Sequence, residues 1–348
     1  MISASLINNN ISKAASKTDA ILQNNAGVVL MLLAQVCSTI MATLGRVLQT
    51  GGSSGSDTRS IGTSEILIVM MLIITVLSWT YILVSPEVFP DGVFGPAKLR
   101  PLLVIRGIAG FFGIWGFYVS LQYLAVAEAT LINFLAPVFA ALLLGLLPGQ
   151  QRCSVPQMLA ALVAIMGLLC VLQPWNAHAT NASKAYAMAV GAALVGVVGA
   201  AASFMTMSYL GGHVHPIITV AYFAPTCVVL SGASLIIQQE SLSFPSAAIP
   251  WLLVCAMGIL GFAKHSLMAA SLMTGDSKKA LHIVYVQVVF AMVADKIVWG
   301  LVPGWWKYAG ALLIVGSAVF VAVTKEDRGY SLVREMDVEE KIGNEDAT

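Results

Sequence analysis

Between Pro101 and Leu147 the chain runs 47 residues with only two charges, Arg106 and Glu128. A bilayer core takes about 20 apolar residues per helix, so this stretch crosses a membrane twice. The turn is then forced near Leu124–Ala127, where only a few residues are free. A hairpin this tight, with one charge inside its first pass and one at its turn, constrains the chain to a polytopic membrane fold. The question of function becomes what crosses the membrane.

Composition agrees. Of 348 residues, 58% are hydrophobic and 10% charged, against about 25% charged in soluble domains. The net charge of +1 gives no footprint for nucleic acid. The five cysteines are odd in number and form no CxxC pair, so neither a disulfide framework nor a zinc site is expected; small apolar filler is their expected role. Residues 1–25 are polar and hold no apolar core before a cleavage site, so the first span is expected to act as the insertion signal.

Apolar runs of spanning length fall at 26–48, 64–84, 101–124, 127–147, 156–173, 186–209, 217–237, 249–273, 278–299 and 306–324. The expected fold is therefore all-α and polytopic, with ten transmembrane helices. With the N-terminus in the cytosol, cytosolic segments carry eleven Lys and Arg and the opposite loops only Arg59, Lys184 and Lys307, the bias expected when both termini are cytosolic. The tail 325–348 holds eight acids and four bases, too little apolar surface to offset ordering entropy. The sequon Asn181-Ala182-Ser183 falls in a non-cytosolic loop.

The chain also matches itself. ATLINFLAPVFAAL (129–142) and ALHIVYVQVVFAMV (280–293) share five identities at an offset of 151; Gly110 and Gly113 match Gly258 and Gly261 at 148; Gly167 matches Gly316 at 149. Two halves, 26–173 and 186–324, follow. An odd number of crossings in each turns the second upside down, the inverted-repeat arrangement in which a central site opens alternately to either side.

The segments RGIAGFFGIWGFYVSLQYLAVAEATLINFLAPVFAALL (106–143) and KKALHIVYVQVVFAMVADKIVWGLVPGWWKYAGALLIVGSAVFV (278–321) resemble paired blocks of the EamA family of the drug/metabolite transporter superfamily. HVHPIITVAYFAP (213–225) is similar to a fungal-type subgroup near group G of solute-carrier family thirty-five. The resemblance implies ten helices in two inverted five-helix repeats around a cavity. This sequence departs from the family in having Pro148-Gly149-Gln150-Gln151 where members often carry an acid after the fourth helix.

Ionisable groups inside a membrane mark pathways or partners. Lys264-His265 lies mid-span, too deep to snorkel, and its repeat position is Gly116. Its two readings are a cationic cavity group, with His265 able to titrate near neutral pH, or a pair satisfied by carbonyls or a buried acid. Arg106 either binds an anion, or snorkels or caps a neighbouring helix, and the glycines Gly107, Gly110, Gly113 and Gly116 beside it form a row that admits another backbone. Tyr118, Gln122, Asn133, Tyr222, Tyr285 and Gln287 need hydrogen-bond partners in lipid; which bind solute and which tie helices is left open. Glu128 suits a first helical turn, with a gate or proton-linked carboxylate as its other reading; Asp295-Lys296 suits an interfacial pair, and His282 a solvated vestibule.

No GxxxxGK[ST] loop, HExxH or paired carboxylates within a span are present; Gly51-Gly52-Ser53-Ser54-Gly55 fits GxSxG but follows no strand. The expectation is a secondary transporter or exchanger of a small organic metabolite, possibly anionic, without cofactor, catalytic residue or metal. A non-transporting regulator or assembly partner is the alternative. The expected partners are the solute and the lipid bilayer, with no nucleic acid and with a homodimer left open. The membrane is equally open among plasma membrane, secretory pathway and vacuole.

Overall fold

A computed structural model describes residues 26–50, 61–85, 87, 94–146, 155–173, 183–210, 214–238, 248–273 and 283–320. The polar tails 1–25 and 325–348, Gln150, Gln151, Asn181, His282 and the Gly51–Gly55 motif lie outside these residues.

Every regular element among the described residues is helical. In chain order they are α1 (Ala26–Thr50), α2 (Thr63–Val84), α3 (Arg100–Ser120), α4 (Val126–Asn133), α5 (Ala136–Leu146), α6 (Val155–Leu172), α7 (Ser183–Leu210), α8 (Pro216–Gln238), α9 (Ala248–Met273), α10 (Gln287–Trp299) and α11 (Trp305–Phe320). Six segments are long and apolar enough to cross a bilayer by length and composition: α1, α2, Ala97–Ser120, Lys184–Met207, Pro216–Ile237 and Ala248–Ser271. Large apolar side chains such as Leu83, Ile236, Leu252 and Leu312 are exposed, as expected where lipid rather than water is the solvent.

Three expected spans differ in detail. The third ends at Ser120, and residues 121–124 turn on N–H bonds back to Phe117, Val119 and Ser120. The fourth is two helices. Pro137 has no N–H, so the carbonyl of Asn133 loses its helical donor, and Phe134 and Leu135 bridge α4 and α5 by turns onto Thr130, Leu131 and Ile132. The ninth enters α10 through a 3₁₀ turn, Val284–Val286. At the offset of 151 these two breaks coincide, since Ala136 opens α5 and its counterpart Gln287 opens α10. Only the first contains a proline; the second has Val288 in its place.

The chain divides into two compact units, residues 1–100 with 214–299 and residues 101–213 with 300–348. In the first, α1 packs against α9 and α10, and α2 against α8 and α9. Ser271 Oγ donates to Gly27 O at 2.6 Å, and Gly261 faces Met41, so α1 and α9 run antiparallel. Gln287 Nε2 donates to Ser38 Oγ at 2.9 Å and Arg46 Nη1 to Asp295 Oδ1 at 2.9 Å. Both pairs are 249 residues apart, which sets α1 and α10 parallel and in register. Gly258 and Gly261 admit Ile73 and Ile74, so α2 and α9 are also parallel.

In the second unit α7 packs against α4 and α5 and, in backbone contact, against α3. Gly113 lies against Ala200, Gly116 against Ala192 and Gly196, and Gly199 against Ala109 and Phe112. The residue numbers sum to a near-constant value, so α3 and α7 are antiparallel. This is the close approach that a glycine row permits. Gly167 and Gly310 bring α6 and α11 together in the same way.

Candidate functional site

α9 is 26 residues long, and Lys264 is its seventeenth. At 1.5 Å per residue it sits about 24 Å from one end and about 14 Å from the other. Its antiparallel packing on α1 sets it level with Cys37 and Ser38, midway along that helix. Lys264 and Cys37 are within electrostatic reach of each other. Among the described residues no hydrogen bond or ion pair reaches Lys264, and the side chain is half-buried. Across α1, the Ser38–Gln287 bond lies at the same depth. Lys264, Cys37, Ser38 and Gln287 thus form one polar layer contributed by three helices, with Tyr285 just before it in the 3₁₀ turn that packs on α1.

Two turns further along α10, Asp295 is 2% exposed and paired with Arg46. The Arg46 guanidinium also stands 4.2 Å from the Trp299 ring centroid, a cation–π contact. The expected pairing of Asp295 with Lys296 is therefore corrected. Adjacent helical residues project about 100° apart, so Asp295 turns inward to α1 while Lys296 is exposed.

The same geometry separates Lys264 from His265. His265 faces α8, its ring 6.4 Å from that of Phe223. Tyr222 OH donates to Phe94 O at 3.2 Å, at a turn where Gly95 adopts a left-handed φ of 63°, the Trp79 ring packs at a tilt against that of Phe94, and the Arg100 guanidinium lies 5.6 Å from the Phe94 centroid. That bond makes Tyr222 a tie to the α2–α3 connection. Beside it, His215 Nδ1 accepts the Ile217 N–H at 3.3 Å, and burial pushes this imidazole below its ordinary value.

The remaining candidates belong to the second unit. Arg106 is 8% exposed and points along the α3–α7 seam, with Nη2 3.5 Å from Met207 Sδ; a residue so buried does not snorkel to lipid phosphates. Tyr118 is buried, edge-on to Phe117. Asn133 is half-buried at the α4–α5 break. Glu128 opens α4 as expected: its Oε2 accepts the Ala125 N–H at 3.3 Å, while Oε1 pairs with Lys307. The structure therefore brings together Lys264, Gln287 and Tyr285 of the sequence candidates, and keeps His265 and Tyr222 on another face. Ser38 and Cys37 were missed. Their signal was the cluster Gln35, Cys37, Ser38 and Thr39 in an otherwise apolar run.

Comparison with known proteins gives the layer its context. The EamA-like transporter family matches residues 25–173 and again 187–323. A probable transport protein of Saccharomyces cerevisiae is 29% identical over 86% of this chain and 89% of its own length. The probable transporter vicT of Bipolaris victoriae is 30% identical over 84% and 83%. Human solute carrier family 35 member G1 is 25% identical over 67% and 65%. One crystal structure shares the fold at a TM-score of 0.51 and 20% identity, covering 83% of this chain and 96% of that one. These relatives are named as transporters, not enzymes, and the chain belongs to the EamA-like transporter family of multi-pass membrane proteins.

Proposed function

We propose that the protein is a secondary transporter or exchanger of a small organic solute, anionic where it meets Lys264. In this reading it works by alternating access between two inverted five-helix repeats, 26–173 and 186–324, that together supply ten spans. Both termini are cytosolic, as the loop charges indicate. The observation that carries the reading is Lys264: a cation mid-span, where charge costs at least about 2.5–3.5 kcal/mol on insertion scales, with no acid against it among the described residues.

Two features support the repeat. The helix breaks at Phe134–Leu135 and Val284–Val286 coincide at the sequence offset, and interrupted helices at corresponding places in two halves are the mark of a transport site. Helix pairing is also exchanged between halves: α1 packs on α9 and α10, while its counterpart α7 packs on α3 and α5, the counterparts of those two helices. The repeat position of Lys264 is Gly116, where an added Cβ would meet Ala192 O at 2.3 Å. One seam is closed by backbone contact; its counterpart holds a lysine. The cation is therefore no requirement of the fold.

The test pairs melting temperature with uptake into liposomes on one Lys264→Ala preparation, across a panel of metabolites. Unchanged melting with loss of anion uptake is expected. Normal uptake with normal melting removes Lys264 from the site, and a collapse of melting temperature reassigns it to the scaffold.

A further inference from the structure

Resting on the transporter reading, we infer that the group bound at the Lys264 layer is a carboxylate held by three helices, with Ser38 and Gln287 as its hydrogen-bond donors. Lys264 supplies the charge. Ser38 Oγ accepts from Gln287 Nε2 at 2.9 Å, so its own proton is left to donate. The Gln287 amide keeps a second N–H beyond the one it gives to Ser38. The layer therefore presents an ammonium, a hydroxyl and an amide N–H from α9, α1 and α10.

The charge balance selects the ligand. No acid lies on α1 or α9; the one acid of α10, Asp295, is held by Arg46 about 12 Å above Gln287 along the helix axis, and that of α2, Glu65, caps its own first turn by accepting the Gly62 N–H, about 18 Å along α2 from the level of Lys264. A single uncompensated positive charge matches one negative charge. A carboxylate supplies that and two acceptor oxygens, enough for the three donors. A phosphate dianion would leave one negative charge uncompensated in a low-dielectric span, which is costly. Ser38 and Gln287 hold each other when the layer is empty, so neither donor is stranded between transport events.

Cys37 makes the layer testable without knowing the solute. It adjoins Ser38, faces α9, and is half-buried. In full-length protein with Cys153, Cys170, Cys227 and Cys255 replaced, and melting and monodispersity confirmed against the unaltered chain, the Cys37 thiol is reacted with two methanethiosulfonates. One bears a sulfonate, the other a trimethylammonium group. The sulfonate reagent, an oxyanion, should react roughly tenfold faster or more, given a full charge within a few ångströms. Its rate should saturate with concentration and be slowed by simple monocarboxylates such as acetate and butyrate, but not by their methyl esters. Lys264→Gln should abolish the bias. Ser38→Ala and Gln287→Met should preserve the bias but weaken saturation and carboxylate protection several-fold.

A faster cationic reagent, a bias indifferent to Lys264→Gln, no labelling by either reagent, or protection by inorganic phosphate alone would each overturn the proposal. If the chemistry behaves as expected but liposomes show no flux, the binding site stands and the transporter reading fails. If carboxylate flux persists with Ser38→Ala and Gln287→Met unimpaired, the transporter reading stands and this site fails.

Discussion

The contact between α3 and α7 gives a graded prediction within one interface. A methyl group at Gly116 would sit 2.3 Å from Ala192 O and 2.7 Å from the Gly196 Cα and N; at Gly199 it would meet Ala109 O and Phe112 Cβ at 2.7 Å. At Gly196 the nearest atoms are at 3.2–3.3 Å, and at Gly191, on the same helix, nothing lies within 4 Å. Backbone atoms cannot rotate aside, so Gly116→Ala must part the helices by about 1 Å to restore normal contact. Overpacking of this kind costs about 1–3 kcal/mol. Replacing a mid-helix glycine by alanine returns about 0.5–1 kcal/mol.

The balance sets the order. Gly191→Ala should stabilise by about 0.5–1 kcal/mol. Gly196→Ala should fall near zero, and Gly199→Ala and Gly116→Ala should destabilise by about 1–2 kcal/mol after the propensity gain. At about 2–4 °C per kcal/mol, thermal melting of detergent-purified protein, followed by tryptophan fluorescence and monodispersity, resolves the series. Equal melting temperatures for Gly191→Ala and Gly116→Ala would refute the backbone contact on which the reasoning stands.

Three further outcomes are expected. Asp295→Asn or Arg46→Gln alone should lower stability by about 3–5 kcal/mol by stranding a buried charge, and an apolar double replacement should recover most of it; single variants that melt like the parent would show the pair to be solvated. The His215 imidazole is lowered by burial, so its contribution is full above the unfolded value near 6.5 and is lost as pH falls through the folded value; melting of the parent should drop between pH 7 and pH 5 more than that of His215→Gln, and equal slopes would contradict it. Pro137→Ala should leave the α4–α5 break in place, because α10 is preceded by a 3₁₀ turn with Val288 at the matching position; strong protection of every amide from Val126 to Leu146 in hydrogen exchange would show a continuous helix instead.

Much of the architecture was legible because membrane spans are written in apolar length. The expected runs 64–84, 217–237 and 249–273 meet α2, α8 and α9 within a residue or so at each end. The glycine row of α3 was legible as a contact surface, though not its partner. Interruption inside an apolar run is less visible: Pro137 lacks the N–H a continuous helix needs, but nothing local marks Val284–Val286, since valine and tyrosine fit a helix as readily as a 3₁₀ turn. Pairing between distant helices was not legible at all. Asp295 and Lys296 are neighbours in sequence, and only packing turns the acid toward Arg46. Lys264 stood out by its depth, whereas Ser38, a small hydroxyl that any helix tolerates, acquires meaning only once Gln287 is seen to bond to it.

The two polar ties between α1 and α10 make a stiff lever of that pair. Sliding one helix past the other by a single residue would break both the Ser38–Gln287 and Arg46–Asp295 bonds at once. Bending is therefore concentrated in the 3₁₀ turn at the lever's foot. From Val286 to Trp299 the arm is about 20 Å long, so a tilt of about 10° carries its tip about 3–4 Å. A tilt of the pair as one body about that turn therefore displaces its Arg46–Trp299 end by about the breadth of a water molecule with both ties intact.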